Sequence, residues 1–280
     1  MAAKKSNQKR EAGERWVVSV DDLKIAFRWC PPGEFLMGSL KGEKGRDNRG
    51  NIETQHQVTL TKGFWIMETP VTVGMFEAFV TKKDYETKGT PWIWKKGIKC
   101  KPNPEYSWDN PGYEQEDNYP VTCIRWETAK AFCEWLKDKT GLTMQLPTEA
   151  EWEYACRAGT TEPFSGNVDE MAWHPLNSGM PPHPHSVATK NPNAWGIFDM
   201  HGNVWEWCQD WYEEFSSKSV TDPTGPKKGK WRIVRGGSWA SDGVKRCRSA
   251  SRCGYWCLND SHKYSSNYVG FRVVCECDQK

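Results

Sequence analysis

Long apolar runs are missing from this chain: no stretch of its 280 residues approaches the roughly 20 apolar residues of a membrane span. Direct insertion into a membrane is therefore not expected. A charge excess is missing too, because 38 Lys and Arg are set against 36 Asp and Glu, and neither sign forms a long run outside residues 4–15. No nucleic-acid partner or membrane surface is implied. Residues 1–15 are polar and charged where an export signal would be apolar, and they read as a disordered tail. As it stands the chain would remain cytoplasmic, whereas an export or lipoprotein signal removed from this version would place it at the cell surface. No CxxC pair occurs among the 11 cysteines, so no structural zinc site is expected, and the odd number leaves at least one unpaired. Most are read as buried, reduced thiols, with Cys253 and Cys257 as the exception. Nor is there a linker, a repeat or a low-complexity segment, which points to one large domain over residues 16–280.

What the chain has in excess is tryptophan, 17 of them at a mean hydropathy of −0.79. With modest aliphatic content, aromatic rings must supply much of the core, and each buried indole N–H needs an acceptor. The 17 prolines and 24 glycines add irregular loops pinned by those rings. Weak alternation over residues 16–27 and 34–38, around Cys30, Pro31, Pro32 and Gly33, reads as two short strands. Residues 57–60 and 64–68 flank a three-residue turn, the spacing of a hairpin. Thr72 caps a helix over 73–81, and a second covers 127–139 with Gly141 past its end. The third has the clearest start, a T-x-x-E capping box of Thr148 and Glu151 that opens a helix over 149–157. Beyond Gly159 no helix is expected, only loops and short strands at 204–211, 231–235 and 271–275.

The runs LPTEAEWEYACRAG (146–159), GIFDMHGNVWEW (196–207), RGGSW (235–239) and GFRV (270–273) resemble, in that order, the formylglycine-generating-enzyme family, also called sulfatase-modifying factors. PGEFLMGS (32–39), residues 64–72 and PVTCIRW (120–126) look like its N-terminal half, so the likeness spans residues 16–274. The resemblance implies an α+β fold, the elaborated C-type-lectin-like domain, loop-rich with few helices. In the family's oxidases, two cysteines between the GGS and GFR motifs bind copper and activate oxygen to convert a substrate cysteine to formylglycine. Soft thiolates suit Cu(I). Counted from Gly236, Gly237 and Ser238, those positions are Ser241 and Arg246 here, and neither is a thiol. The chain is therefore read as non-catalytic, with no copper expected. The competing reading is an oxidase in which a shifted loop brings Cys247 together with Cys253 or Cys257.

The resemblance also implies a structural calcium ion at the GNxWEW turn. Its ligands would be the side chains of Asp199 and Glu206 and the carbonyls of Gly202 and Val204, oxygen donors suited to a hard cation. The alternative is that Asp199 caps a turn and Glu206 pairs with an arginine. His183 and His185 are the one close histidine pair, but the prolines around them favour a loop over a metal-binding strand.

Residues 240–268 interleave small polar residues with aromatics, a composition similar to antibody paratopes. The surrounding phrases RGGSW, CRSASR and VGFRVV resemble the fixed framework of the variable proteins of bacterial diversity-generating retroelements. In those proteins, adenine-directed mutagenesis of AAC codons never yields Glu, Gln, Met, Lys or Trp; 240–268 contains no Glu, Gln or Met, and its Lys245, Trp256 and Lys263 are read as fixed framework positions. Read this way, Ser241, Asp242, Tyr255, Trp256, Asn259, Asp260, His262, Tyr264 and Asn267 are the expected contacts. The ligand would be an extracellular protein or other macromolecule. An ordinary surface loop on an oxidase-dead accessory domain is the remaining alternative.

Overall fold

Short alternating segments, each too small to bury a face alone, are gathered into four sheets. The computed structural model describes residues 10–87, 89–95, 98–253 and 265–276. Among these the first half runs β1 (Arg15–Val20), β2 (Leu23–Cys30), β3 (Gly33–Met37), β4 (His56–Leu60), β5 (Phe64–Met67), α1 (Val73–Lys83), β6 (Trp92–Lys95) and β7 (Ile98–Pro102). There follow α2 (Trp126–Thr140), β8 (Thr143–Gln145), α3 (Glu149–Arg157) and the single turn α4 (Val168–Met171). The rest is β9 (Trp205–Trp211), β10 (Val220–Thr221), β11 (Arg232–Arg235), a 3₁₀ turn (Val244–Cys247), β12 (Arg252–Cys253), β13 (Val269–Phe271) and β14 (Val274–Glu276). No helix among the described residues is long and apolar enough to cross a membrane.

The five-stranded sheet has the order β1-β2-β5-β14-β8, so the last strand is inserted between two from the first half. A second sheet joins β10, β4 and β3, a third joins β12, β11, β9 and β13, and β6 with β7 forms a separate hairpin. One strand expected over 271–275 is in fact two, because the chain changes sheets there. β13 runs parallel to β9, whereas β14 is antiparallel to β5 and β8. Between them Arg272 is fully buried and turned into an ion pair.

The helices form where their local chemistry asks for them. Thr72 Oγ1 accepts from the Met75 N–H at 3.3 Å, and α1 ends at Asp84 in the left-handed region. In α3 both halves of the capping box are made: Glu151 N donates to Thr148 Oγ1 (3.1 Å) and Thr148 N to a Glu151 carboxylate oxygen (2.7 Å). α4 and the 3₁₀ turn correct the expectation that helices cease after Gly159. Each is about one turn long, too short to show a hydrophobic period.

Aromatic side chains do fill the core. One cluster stacks Phe76, Phe79, Phe132 and Trp135 beneath α1 and α2, and a second packs Trp152 of α3 against Phe64, Ile66 and Ile233. Two of the most buried indoles find acceptors, Trp207 Nε1 donating to the Ile124 carbonyl (2.9 Å) and Trp152 Nε1 to Glu206 (2.8 Å), whereas Trp135 Nε1 and Trp239 Nε1 have no partner among the described residues. Within the stretch 1–15 expected to be a tail, residues 10–15 are packed on β2. Gly13 N donates to the Trp29 carbonyl, Trp29 N donates to the Glu14 carbonyl, and the Arg10 guanidinium lies 4.8 Å from the Trp29 ring centroid. The two backbone bonds extend the β1–β2 pairing backwards to Gly13.

Candidate functional site

The segment from β11 to β12 is clamped to the first half of the chain by buried ion pairs. Arg235, fully buried, pairs with Glu153, whose other oxygen takes the Gly38 N–H (2.9 Å) and Arg157 (2.8 Å). Arg248 reaches Glu53 with both terminal nitrogens (2.9 and 2.8 Å) and Glu43 at 2.6 Å. Arg252 makes a two-point contact with Glu149 (2.5 and 2.7 Å), and Arg272 does the same with Glu206 (2.6 and 2.7 Å). Planar guanidinium against carboxylate is the geometry in which a buried charge is best compensated. The pairs made by Arg235, Arg248, Arg252 and Arg272 join residues 66 to 205 positions apart, so together they fix the frame from which residues 240–268 depart and return.

Beside this frame lies a cleft of about 710 Å³, lined by Trp94, Tyr113, Tyr119, Pro182, His183 and Trp239 among others. Trp239 is 2 % exposed and meets Trp94 and Tyr113 edge-on, with centroids 5.1 and 5.9 Å away. Its Nε1 has no hydrogen-bond partner among the described residues. The β6–β7 hairpin forms one wall, a feature absent from the expectations above. It is held by the Trp92 N–H donating to the Ser265 carbonyl (2.8 Å) and by Asn267. Asn267, one of the expected ligand contacts, also lines this cleft. It is 2 % exposed, its amide oxygen accepts from Trp94 N (3.0 Å), and its NH₂ donates to the Trp94 and Pro111 carbonyls (both 3.3 Å). It therefore clamps the returning chain to the hairpin under the cleft.

Of the other expected contacts, Asp242 is exposed and Ser241 half-buried, while Tyr255, Trp256, Asn259, Asp260, His262 and Tyr264 lie outside the described residues. Ser241 Oγ accepts from the Ser238 N–H at 2.9 Å, closing a small turn after β11. Arg246 donates to Asp242 (2.7 Å) and faces Asp47 (3.6 Å). Burial works against ionisation of Asp242, but the Arg246 hydrogen bond and charge hold its carboxyl below the usual range.

The thiols near these positions are enclosed. Cys247 and Cys156 are fully buried, and burial pushes both up to about 12. His201 sits between them, with Nδ1 2.8 Å from the Cys247 carbonyl and Nε2 accepting from the Ser165 N–H at 3.0 Å. That pattern requires a neutral ring protonated at Nδ1, and burial pushes His201 down to about 4. Cys30, Cys133 and Cys208 are also buried free thiols and Cys275 is buried, whereas Cys253, one of the two cysteines set apart in the sequence, is disulfide-bonded; Cys257 lies outside the described residues.

The two carboxylates expected to hold calcium are each engaged by hydrogen-bond donors of the chain. Both oxygens of Glu206, which is fully buried, are taken by Arg272, and one also accepts from Trp152 Nε1. Asp199 accepts from the Ala188 N–H (2.8 Å) and from Asn203 (3.3 Å), and burial raises it to about 6. Val204 and Gly202 lie in the same buried turn. The arrangement matches the alternative reading, in which an arginine is the cation that Glu206 meets.

The family model described as the sulfatase-modifying factor enzyme 1-like domain matches residues 22–277. The chain belongs to this family. It is 30 % identical over 299 residues to the formylglycine-generating enzyme of Streptomyces coelicolor, covering 89 % of this chain and 88 % of that protein. Among solved structures, PvdO from Pseudomonas aeruginosa matches with a TM-score of 0.78 at 26 % identity, over 96 % of this chain and 100 % of that one. Treponema denticola variable protein 1 matches with a TM-score of 0.73 at 26 % identity, over 94 % and 99 %. The architecture is the α+β, C-type-lectin-like fold of the sulfatase-modifying factors.

Against the family's copper chemistry, the donor set at the two oxidase positions does not fit. Ser241 offers a hydroxyl engaged with the backbone, and the Arg246 guanidinium has no lone pair to give. Cys247 presents no thiolate to the surface, since its side chain is fully buried and its thiol holds its proton.

Proposed function

We propose that this member of the sulfatase-modifying factor family is a non-catalytic binding protein that presents residues 240–268 as a ligand-recognition surface on a rigid lectin-like frame. The observation that carries the reading is the exchange of both oxidase thiols for Ser241 and Arg246, each committed to a structural contact. The paratope-like composition of the segment supports it, as does the likeness to a protein named a variable protein. The ligand is an extracellular protein or comparable macromolecule that meets Ser241, Asp242, Tyr255, Trp256, Asn259, Asp260, His262 and Tyr264.

Two measurements test this. Joint replacement of those residues by alanine is expected to abolish capture of the ligand while leaving the melting temperature little changed, because aromatic anchors concentrate binding energy. Incubation with Cu(I), oxygen and a cysteine-containing peptide is expected to leave the peptide unoxidised. Formylglycine appearing in that peptide would return the chain to the oxidases.

A further inference from the structure

A second cleft, sharing no lining residue with the one beside Trp239, opens between α2 and the end of β9, with a volume of about 480 Å³. At its wall the Arg232 guanidinium is sandwiched between two indoles, its carbon 3.6 Å from the Trp126 ring centroid and 3.7 Å from that of Trp211. Trp126 is itself fixed, donating from Nε1 to the Cys208 carbonyl at 2.9 Å. The stacking orients the guanidinium plane and leaves recognition to its edge.

Arg232 differs from the arginines that follow it. Arg235, Arg246, Arg248, Arg252 and Arg272 each face a carboxylate. Arg232 has none within 4.0 Å among the described residues, and its Nε has no hydrogen-bond partner among them. Its one recorded bond is from Nη1 to the Gln209 carbonyl at 2.6 Å. Removal from water pushes this group down to about 10, and Glu127 and Asp210 offset that only at a distance. Three further cations, Lys130, Lys137 and Lys227, line the same cleft against one carboxylate, Glu134, which is 3.7 Å from Lys130. Its floor is apolar, formed by Met144 and Leu146. An apolar cavity with a few convergent groups of one charge sign is what a small organic anion requires.

We propose that this cleft binds a small organic oxyanion, its carboxylate or phosphate meeting the edge of Arg232 while its apolar part lies over Trp126, Met144 and Leu146. The site is independent of the recognition surface proposed above. Calorimetric titration of the full chain with 4-phenylbutyrate, phenyl phosphate and the neutral 4-phenylbutanol tests it. Either anion is expected to bind about tenfold or more tighter than the alcohol, as a charge-assisted pair requires, and the tighter of the two identifies the head group. Arg232→Gln should bring the anion down to the affinity of the alcohol. Lys227→Gln, in the loop before β11, should weaken the anion about two- to threefold with an unchanged melting temperature. Equal binding of anion and alcohol, an unaltered affinity in Arg232→Gln, or no anion binding at millimolar concentration would each overturn the assignment. If Arg232→Gln fails to fold, the comparison of anion with alcohol and the Lys227→Gln variant still decide it.

Discussion

The pairing of Glu206 with Arg272 makes a quantitative demand on stability. Both side chains are fully buried, and the carboxylate is satisfied by two nitrogens of one guanidinium and by Trp152 Nε1. Glu206→Gln preserves the shape but leaves Arg272 with a positive charge balanced only by the dipoles of the Met67 and Phe198 carbonyls (3.1 and 2.9 Å). Arg272→Met strands the carboxylate instead. Breaking one side of such a pair costs about 3–5 kcal/mol, and at about 2–4 °C per kcal/mol the melting temperature should fall by roughly 6–20 °C. Removing both charges together, as Glu206→Gln with Arg272→Met, should cost less than the sum of the two losses, because no charge is left alone. Urea unfolding of the four proteins supplies the cycle. A calcium ion at Glu206 makes the opposite demand, since metal at about 100 times its dissociation constant would add about 2.7 kcal/mol. The reasoning is refuted if a chelator lowers the melting temperature of the parent while Arg272→Met unfolds like it.

Three other outcomes follow from single sites. Gly237 has φ of 75°, and a Cβ there would stand 2.7 Å from both the Arg246 carbonyl oxygen and the Cys247 sulfur, so Gly237→Ala should cost about 2–4 kcal/mol in a denaturant melt. Burial, and then the charge of Glu149, raises the Asp210 carboxyl to about 8. An unfolded Asp releases its proton near pH 4, so the folded state holds a proton that the unfolded state has lost, and this contribution to stability declines as pH rises from about 4 to about 8. Asp210→Asn mimics the protonated acid, so it should match the parent at pH 5 and exceed it at pH 9 by on the order of 1 kcal/mol or more, read from urea midpoints. Finally, iodoacetamide should label Cys156 and Cys247 only after unfolding, as mass spectrometry of the labelled peptides would show, because both thiols are enclosed and pushed up to about 12.

The helices were legible in the sequence because their signals are local. Thr148 with Glu151, and Thr72 at the head of α1, act within a turn of themselves, and both caps are made as read. β9, β11 and β13 were placed to within a residue or two at their starts, but the two-residue β10 and β12 and the exchange of sheets at Arg272 were not visible. Nothing local to GFRV distinguishes a continuous strand from one that turns an arginine inward. The buried carboxylates were hidden for the same reason. Glu149 and Glu153 look like the polar face of α3, yet they are 3 % and 0 % exposed, each neutralised by an arginine more than 80 residues away. The β6–β7 hairpin did leave a signal, two short apolar-rich runs around Lys96 and Gly97, which pattern reading could have used. The burial of Asn267 was not legible, because an asparagine in a polar segment is ordinarily solvated and its three backbone partners, Trp94 N, the Trp94 carbonyl and the Pro111 carbonyl, are distant in sequence.

These long-range contacts also explain how one fold can host either chemistry or recognition in the same place. On one side of residues 254–264, Arg252 is locked to Glu149 and to the Ile52 carbonyl; on the other, Asn267 is locked to the β6 backbone. The two ends of that stretch are thus held by residues outside it, and none of these contacts depends on which side chains it carries. Loss of such an anchor removes a buried partner and is felt throughout the frame. The same logic separates Ser241 and Arg246 from the motif that surrounds them. The glycines, the tryptophan and the paired arginines are constrained by the fold, while the two oxidase positions are constrained only by copper chemistry. On the proposed non-catalytic reading, a serine that closes a turn and an arginine paired with Asp242 are accommodated there by local contacts.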